Sequence, residues 1–380
     1  MRLTLHRSRR AAQASDAGIR TFSNPDDFEN PGLCFYRVAA LGELGMNITT
    51  MRAAVFRKPP SPGQKALSME EVPIPEPGSG ESLLRVLACG VCRTDLHIVE
   101  GDLPSKLSPL ILGHQIVGEI VNSSSTEFQV GDRVGVSWMG GTDGTCKFCL
   151  SGRENLCDAP IFTGYSRNGG YAEYAAARTD FLVPLPRTLS PIVIAPLLCA
   201  GMIGFRSLRV AKVKPGQRVG LFGFGASARL VMPVLLSWKC EVYVSTRGVR
   251  HQQEAAALGA KWVGDAFDLP PERLDAVVIF APVGSVFLAG LKSLDKGGIV
   301  AINAIHLDRM PAFDYDSLLW EERQIRSVAN MTRQDAKDFL RIAGEIGITP
   351  AVKTFRLDEA NEALQAIKDE DVIGSAVLVP

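Results

Sequence analysis

The sequence predicts an α/β protein in two unlike parts, and three observations carry that prediction. From Met51 to about residue 180, short apolar stretches alternate with Pro- and Gly-rich turns such as PPSPG and PEPGSGE, the pattern of an irregular β body. From about Leu198, strand-like and helix-like segments alternate. The strands there are continuously apolar, as in a parallel sheet covered on both faces. The third observation is GFGASA at residues 223–228, a glycine turn between a strand and a helix of that second part.

Residues 1–50 are unlike the rest, being rich in Arg and Ala and poor in acids. They read either as a transit peptide or as a disordered extension with a start placed too early. The second reading is favoured because Met51 opens MRAAVF, a convincing first strand. SMEEVPIP, SLLRVLACGV, IVGEIV, GDRVGVS, YAEYAAA and FLVPLP continue the β pattern. In the second part, KPGQRVGLF is a strand and ASARLVMPVLLSW a helix. EVYVST, KWVGDA, LDAVVIFAP and GGIVAINA follow as strands, with helices at HQQEAAALGA and SVFLAGLKSL. Two helical stretches, RQDAKDFLRIAGEIG and LDEANEALQAIKDE, precede a last strand, SAVLVP.

At 380 residues the chain can bury two sizeable cores. Its 41 basic and 41 acidic residues cancel, so it lacks the basic footprint of a nucleic-acid binder. No run of about 18 apolar residues is present, so no membrane span is expected. Its eight cysteines are Cys34, Cys89, Cys92, Cys146, Cys149, Cys157, Cys199 and Cys240. With no signal-peptide core and with CxxC spacing, they read as thiols of a cytoplasmic protein with metal sites.

The glycine turn places Gly223, Gly225 and Ala228 in a G-x-G-x-x-A pattern. Such a turn lets backbone approach a pyrophosphate seated on the helix N-terminus. The next strand ends in Ser245, Thr246 and Arg247, with no carboxylate to hold a ribose 2′-hydroxyl. A hydroxyl followed by a guanidinium suits a 2′-phosphate, so NADP(H) is expected over NAD(H). In DGTCKFCLSGRENLC, Asp143, Cys146, Cys149 and Cys157 follow at intervals of three, three and eight, the pattern of a closed tetrahedral zinc site. A pair of free thiols or a disulfide is the plainer alternative. The stretch ACGVCRTDLH gathers Cys92, Thr94, Asp95 and His97. With His114 and Cys199 it offers two thiols and an imidazole, a possible open, catalytic zinc set. Cys89 and Cys92 form a CxxC of their own, and spacing alone does not decide between them.

Together, CGVCRTDLH, GHQIVGEIV, GGTDGTCKFCLSGRENLC, PLLCAG and GFGASA resemble the zinc-dependent medium-chain alcohol dehydrogenases, from Met51 to Pro380. The resemblance implies a GroES-like β catalytic domain at 51–197 and 331–380 and a Rossmann domain at 198–330. It makes Cys92, His114 and Cys199 the catalytic zinc ligands and selects Cys92 over Cys89. It gives Thr94 the contact to the substrate oxygen, His97 the outer step of a proton relay that includes a cofactor ribose hydroxyl, and Asp95 the orientation of the zinc-binding histidine. It places Arg93 where a cofactor phosphate is contacted. The implied substrates are a primary alcohol and its aldehyde, and the implied assembly is a homo-oligomer. Three departures stand out: Gln115 where a Glu is typical, Asp143 in place of the first structural cysteine, and the N-terminal extension. The competing readings are a metal-free reductase of the same fold, of the quinone-reductase kind, and a non-catalytic zinc- and nucleotide-binding protein.

Overall fold

The computed structural model describes residues 49–61, 64–123, 125–304 and 307–380, so the expected extension at 1–50 lies outside the described residues except for Thr49 and for Thr50, which already belongs to the first strand. The first half supplies strands β1 (Thr50–Phe56), β2 (Leu67–Pro73), β3 (Glu81–Val91), β4 (Leu110–Ile111), β5 (Gln115–Ser123), β6 (Arg133–Val136), β7 (Met139–Gly141), β8 (Ile161–Phe162), β9 (Tyr174–Arg178) and β10 (Val183–Pro184). The second half adds β11 (Arg218–Phe222), β12 (Glu241–Ser245), β13 (Trp262–Gly264), β14 (Leu274–Ile279), β15 (Leu294–Ile302) and β16 (Gln324–Ser327). The chain ends with β17 (Val352–Arg356) and β18 (Ser375–Val379).

Helices of eight residues or more are α1 (Arg93–Glu100), α2 (Ala200–Val210), α3 (Ala226–Ser237), α4 (Val249–Ala257), α5 (Gly284–Ser293), α6 (Arg333–Ile346) and α7 (Ala360–Lys368). Helix α1 corrects the expectation of an all-β first half. It is short, and its buried residues Thr94, Asp95, Leu96, Ile98 and Val99 mix polar with apolar, so it shows little apolar stripe.

The GroES-like part is built on a sheet ordered β10-β6-β5-β3-β18-β17, with β9 also paired to β3. A smaller sheet, β2-β1-β4, and the β7-β8 ribbon accompany it. Strand β18 pairs antiparallel with β3, so the C-terminal chain returns to complete the sheet begun near residue 81. The Rossmann part is a sheet ordered β13-β12-β11-β14-β15-β16, parallel throughout. That is the 3-2-1-4-5-6 order of a dinucleotide-binding fold, with its switch point between β11 and β14. The buried faces of β11 and β14 explain their uninterrupted apolar sequence.

One core runs between the two large sheets. It includes Ala88 of β3, Val117 of β5, Leu197, Met202 of α2, Val231 of α3 and Phe339 of α6. Helix α2 crosses α3 at Gly204, where a Cβ would stand 2.6 Å from Val231 Cγ1. Among the described residues no single helix is long and apolar enough to cross a membrane. The apolar bent pair Pro191–Leu198 and Ala200–Val210 belongs to this core.

Candidate active site and metal centres

Strand β3 stops one residue short of Cys92, which is the N-cap residue of α1. The Cys92 N–H donates to Asp95 Oδ2 at 2.9 Å, so a carboxylate in the first turn closes the helix start. Antiparallel pairing of β3 with β5 sets Gly90 opposite Gln115 and so brings His114 beside Cys92. A Cβ on Gly90 would fall 2.9 Å from Gln115 Cδ, so a larger residue there would displace the Gln115 side chain. The other Asp95 oxygen accepts the Gly113 N–H at 3.2 Å, tying β5 to α1 through a fully buried carboxylate. Cys199 arrives from far along the chain as the N-cap residue of α2.

The donor atoms of Cys92, His114 and Cys199 lie within 4.8 Å of one another. His114 is buried, its Nδ1 stands 3.4 Å from Asp95 Oδ1, and neither ring nitrogen has a hydrogen-bond partner. A buried imidazole is costly without partners, so an orphaned ring beside two thiols fits a metal ion with an open fourth position. The donors share charge unevenly. Hydrogen bonding from Cys199, aided by His114, holds the Cys92 thiol well below the usual range, while the same contact pushes Cys199 up. Burial opposes protonation of His114, yet Asp95 and Cys92 outweigh it and raise the imidazole to about 10. Cys89 stays apart: it is fully buried, and a Cβ on Gly113 would stand 2.8 Å from its Sγ.

Thr94 is buried with Oγ1 3.7 Å from Cys92 Sγ. His97 is half-buried in the last turn of α1, with Nδ1 3.0 Å from Asp102 Oδ2. Asp102 was not legible beforehand, and its only signal is a place just past Gly101, the left-handed cap of α1 with φ of 88°. Arg93 is exposed and pairs with Glu370 Oε1 at 3.5 Å. Trp138 sets its edge against His114, with ring centroids 5.2 Å apart, and stacks on Phe162 at 4.8 Å and Tyr165 at 5.6 Å.

A second donor group lies on the loop before β8. Asp143, Cys146, Cys149 and Cys157 also place their donor atoms within 4.8 Å of one another. Asp143 Oδ1 accepts the N–H groups of Thr145 at 2.7 Å and Cys146 at 2.8 Å, and Oδ2 lies 3.2 Å from Cys157 Sγ. The Cys146 and Thr145 amides hold this carboxyl well below the usual carboxylate range, and burial pushes the Cys157 thiol up to about 11. Three sulfurs and a carboxylate oxygen fit a closed four-coordinate zinc site. The lobe is stitched to the start of α6 and the segment before it, since Asn155 Nδ2 donates to Ala329 O at 2.8 Å and Arg333 N to Glu154 Oε1 at 3.0 Å.

At the switch point Gly223 has φ of 91°, and a Cβ on it would meet the Ala281 nitrogen at 2.8 Å, so only glycine lets the loops after β11 and β14 touch. A Cβ on Gly225 would meet nothing within 4 Å, leaving open space at the N-terminus of α3, while Ala228 is fully buried. Gly223 N–H donates to Ser245 O at 2.8 Å, which sets the end of β12 beside the turn. Thr246 is buried there, and its carbonyl accepts from Gln252 Nε2 at 3.0 Å. Arg247 is exposed and pairs with no carboxylate among the described residues.

Residues 78–187 match the family model described as the alcohol dehydrogenase GroES-like domain. The chain is 43% identical over 337 residues to the probable alcohol dehydrogenase AdhA of Mycobacterium tuberculosis, covering 87% of this chain and 97% of that one. It is 34% identical over 342 residues to an alcohol dehydrogenase of Geobacillus stearothermophilus, covering 86% and 99%. Its fold matches the cobalt- and zinc-bound thermostable alcohol dehydrogenase of Pyrobaculum aerophilum with a TM-score of 0.76 at 24% identity, over 87% of this chain and 100% of that one. A six-stranded parallel sheet, a GroES-like domain match and 43% identity over most of the chain to an alcohol dehydrogenase agree: this chain belongs to the alcohol dehydrogenases.

Proposed function

We propose that this alcohol dehydrogenase interconverts primary alcohols and aldehydes by hydride transfer with NADP(H), which it prefers to NAD(H). The observation that carries the reading is the convergence of Cys92, His114 and Cys199 within 4.8 Å around an imidazole whose nitrogens have no other partner. Zinc held there supplies Lewis-acid chemistry, and the dinucleotide carries the hydride.

The chain's own residues do the rest. Cys92 and Cys199 are the N-cap residues of two helices, and the Cys92 thiol is the one held down by its surroundings. Asp95 fixes β5 and the start of α1 around His114. Thr94 Oγ1 would accept the alcohol proton while giving up its own to the relay whose outer member is His97, and His97 would release a proton to solvent. Asp102 holds His97 Nδ1, which leaves Nε2 as the exchanging atom. Gly223, Gly225 and Ala228 shape the pyrophosphate seat, with Arg93 as a further phosphate contact once released from Glu370. Thr246 and Arg247 face the 2′-phosphate. The Asp143, Cys146, Cys149 and Cys157 lobe holds a second, structural zinc. The GroES-like domain spans 51–197 and 331–380, and the Rossmann domain 198–330. The seven described cysteines are free, which suits a cytoplasmic enzyme whose thiolates bind metal. A homo-oligomer is the expected assembly.

The test combines metal analysis with absorbance at 340 nm across a panel of alcohols and aldehydes and both cofactors. Two zinc ions per chain and alcohol-dependent reduction of NADP are expected. Removing the single guanidinium in Arg247→Ala should raise KM for NADP about 10-fold and leave that for NAD unchanged. Zinc without turnover on any member of the panel would make the protein a zinc- and nucleotide-binding module instead. Clear NAD preference in the wild type would remove the 2′-phosphate assignment.

A further inference from the structure

Cys199 is the one candidate ligand that depends on a helix borrowed from between the two sheets. It separates the 3-10 turn Ala195–Leu198 from α2, and its carbonyl accepts the Ile203 N–H at 2.9 Å. The place of its sulfur is therefore set by the first turn of α2. Two residues on is Gly201, where a Cβ would lie 2.4 Å from Phe339 Cε1. The ring of Phe339 occupies that space, is fully buried, and also meets the Phe205 ring at 5.8 Å between centroids. One turn earlier on α6, the fully buried Asp335 accepts Arg206 Nη1 at 3.2 Å and Arg209 Nη1 at 2.8 Å. Residues 335 and 339 share a face of α6, so α6 grips α2 at two levels.

We propose that Phe339, seated on Gly201 and anchored through Asp335, is a positioning residue for Cys199. It fixes the first turn of α2 against the metal centre. The proposal rests on the reading of Cys199 as a metal ligand. Zinc–sulfur bonds hold to about 2.3 Å, so a shift of α2 by a fraction of an ångström removes a donor. Nothing in ACGVCRTDLH or PLLCAG points to this residue, because it lies far along the chain and meets PLLCAG at Gly201.

Zinc affinity at the three-donor site is read by competition with a chromophoric chelator, and ligand geometry by the visible bands of the cobalt(II)-substituted protein. Phe339→Ala, which empties the seat, and Gly201→Ala, which overfills it, should each weaken zinc binding there about 10- to 100-fold and shift the cobalt bands. The four-donor lobe should bind as before. The size-compensated pair Gly201→Ala with Phe339→Leu should recover most of the affinity and the wild-type bands. If Phe339→Ala proves too unstable, Phe339→Leu alone makes the same comparison at smaller amplitude. Single variants that melt earlier yet keep wild-type affinity and bands would make Phe339 core packing only and overturn the proposal. Cys199→Ala is the separate control: if it still binds two zinc ions at wild-type affinity, the ligand reading itself fails and the proposal falls with it.

Discussion

The two donor clusters make opposite use of the chain. Cys92, His114 and Cys199 come from the starts of two helices and a strand, and meet around a buried imidazole. Asp143, Cys146, Cys149 and Cys157 come from one loop, and Asp143 is exposed while Cys146 and Cys149 are half-buried. The first offers three donors, which on the proposed reading leaves a fourth position open, whereas the second offers four, enough to close a tetrahedral site.

That contrast can be broken by experiment, starting with the largest effect. Cys92→Ala should cut kcat at least about 10³-fold, since several kcal/mol of Lewis-acid stabilisation is lost, and should leave one zinc ion per chain with little change in melting temperature. Retained turnover would remove Cys92 from the centre. Asp95→Asn keeps size but loses charge, and should weaken zinc at the three-donor site about 10- to 100-fold without touching the lobe. Equal loss at both sites in chelator competition would show general unfolding. Cys149→Ala reverses the pattern, with a melting temperature lower by about 5–10 °C and kcat nearly unchanged. An unchanged melting curve would mean that the lobe stands without metal. Asp143→Cys, the smallest change, replaces an exposed oxygen donor by sulfur and should slow zinc loss to a chelator while raising the melting temperature by about 1–2 °C. Faster loss would show that the amide bonds made by Asp143 matter more than its donor atom.

Much of this was legible because local chemistry dictated it. The Rossmann turn needs glycine at 223 for a backbone contact with Ala281, and the uninterrupted strands need two covered faces. The lobe is local, so the four side chains that the structure brings within 4.8 Å of one another were already neighbours in sequence. Helix α2 was hidden for the reverse reason. Gly201 and Gly204 look like breakers in AGMIGFRSLRV, but each clears space for a partner, Phe339 and Val231, that sequence order does not reveal. Helix α1 was obscured by its buried polar residues Thr94 and Asp95, which interrupt its apolar face beside Cys92. Asp102 and Phe339 could not be found because their meaning lies in contacts to His97 and Gly201. Short strands such as β16 and β17, with half-exposed residues, carry too little periodicity to be read.

The spread of the donors along the chain also has a consequence for synthesis. The lobe's four donors fall within one short loop, so the closure entropy of gathering them is small and they can trap a metal as soon as that loop leaves the ribosome. The other centre waits for Cys199, and its β3–β5 frame is finished only when β18, the last strand of all, pairs with β3. On the proposed reading of both groups as zinc sites, the lobe's donors are complete earlier in synthesis than those of the three-donor centre. With zinc scarce, the lobe of a nascent chain would then fill ahead of that centre.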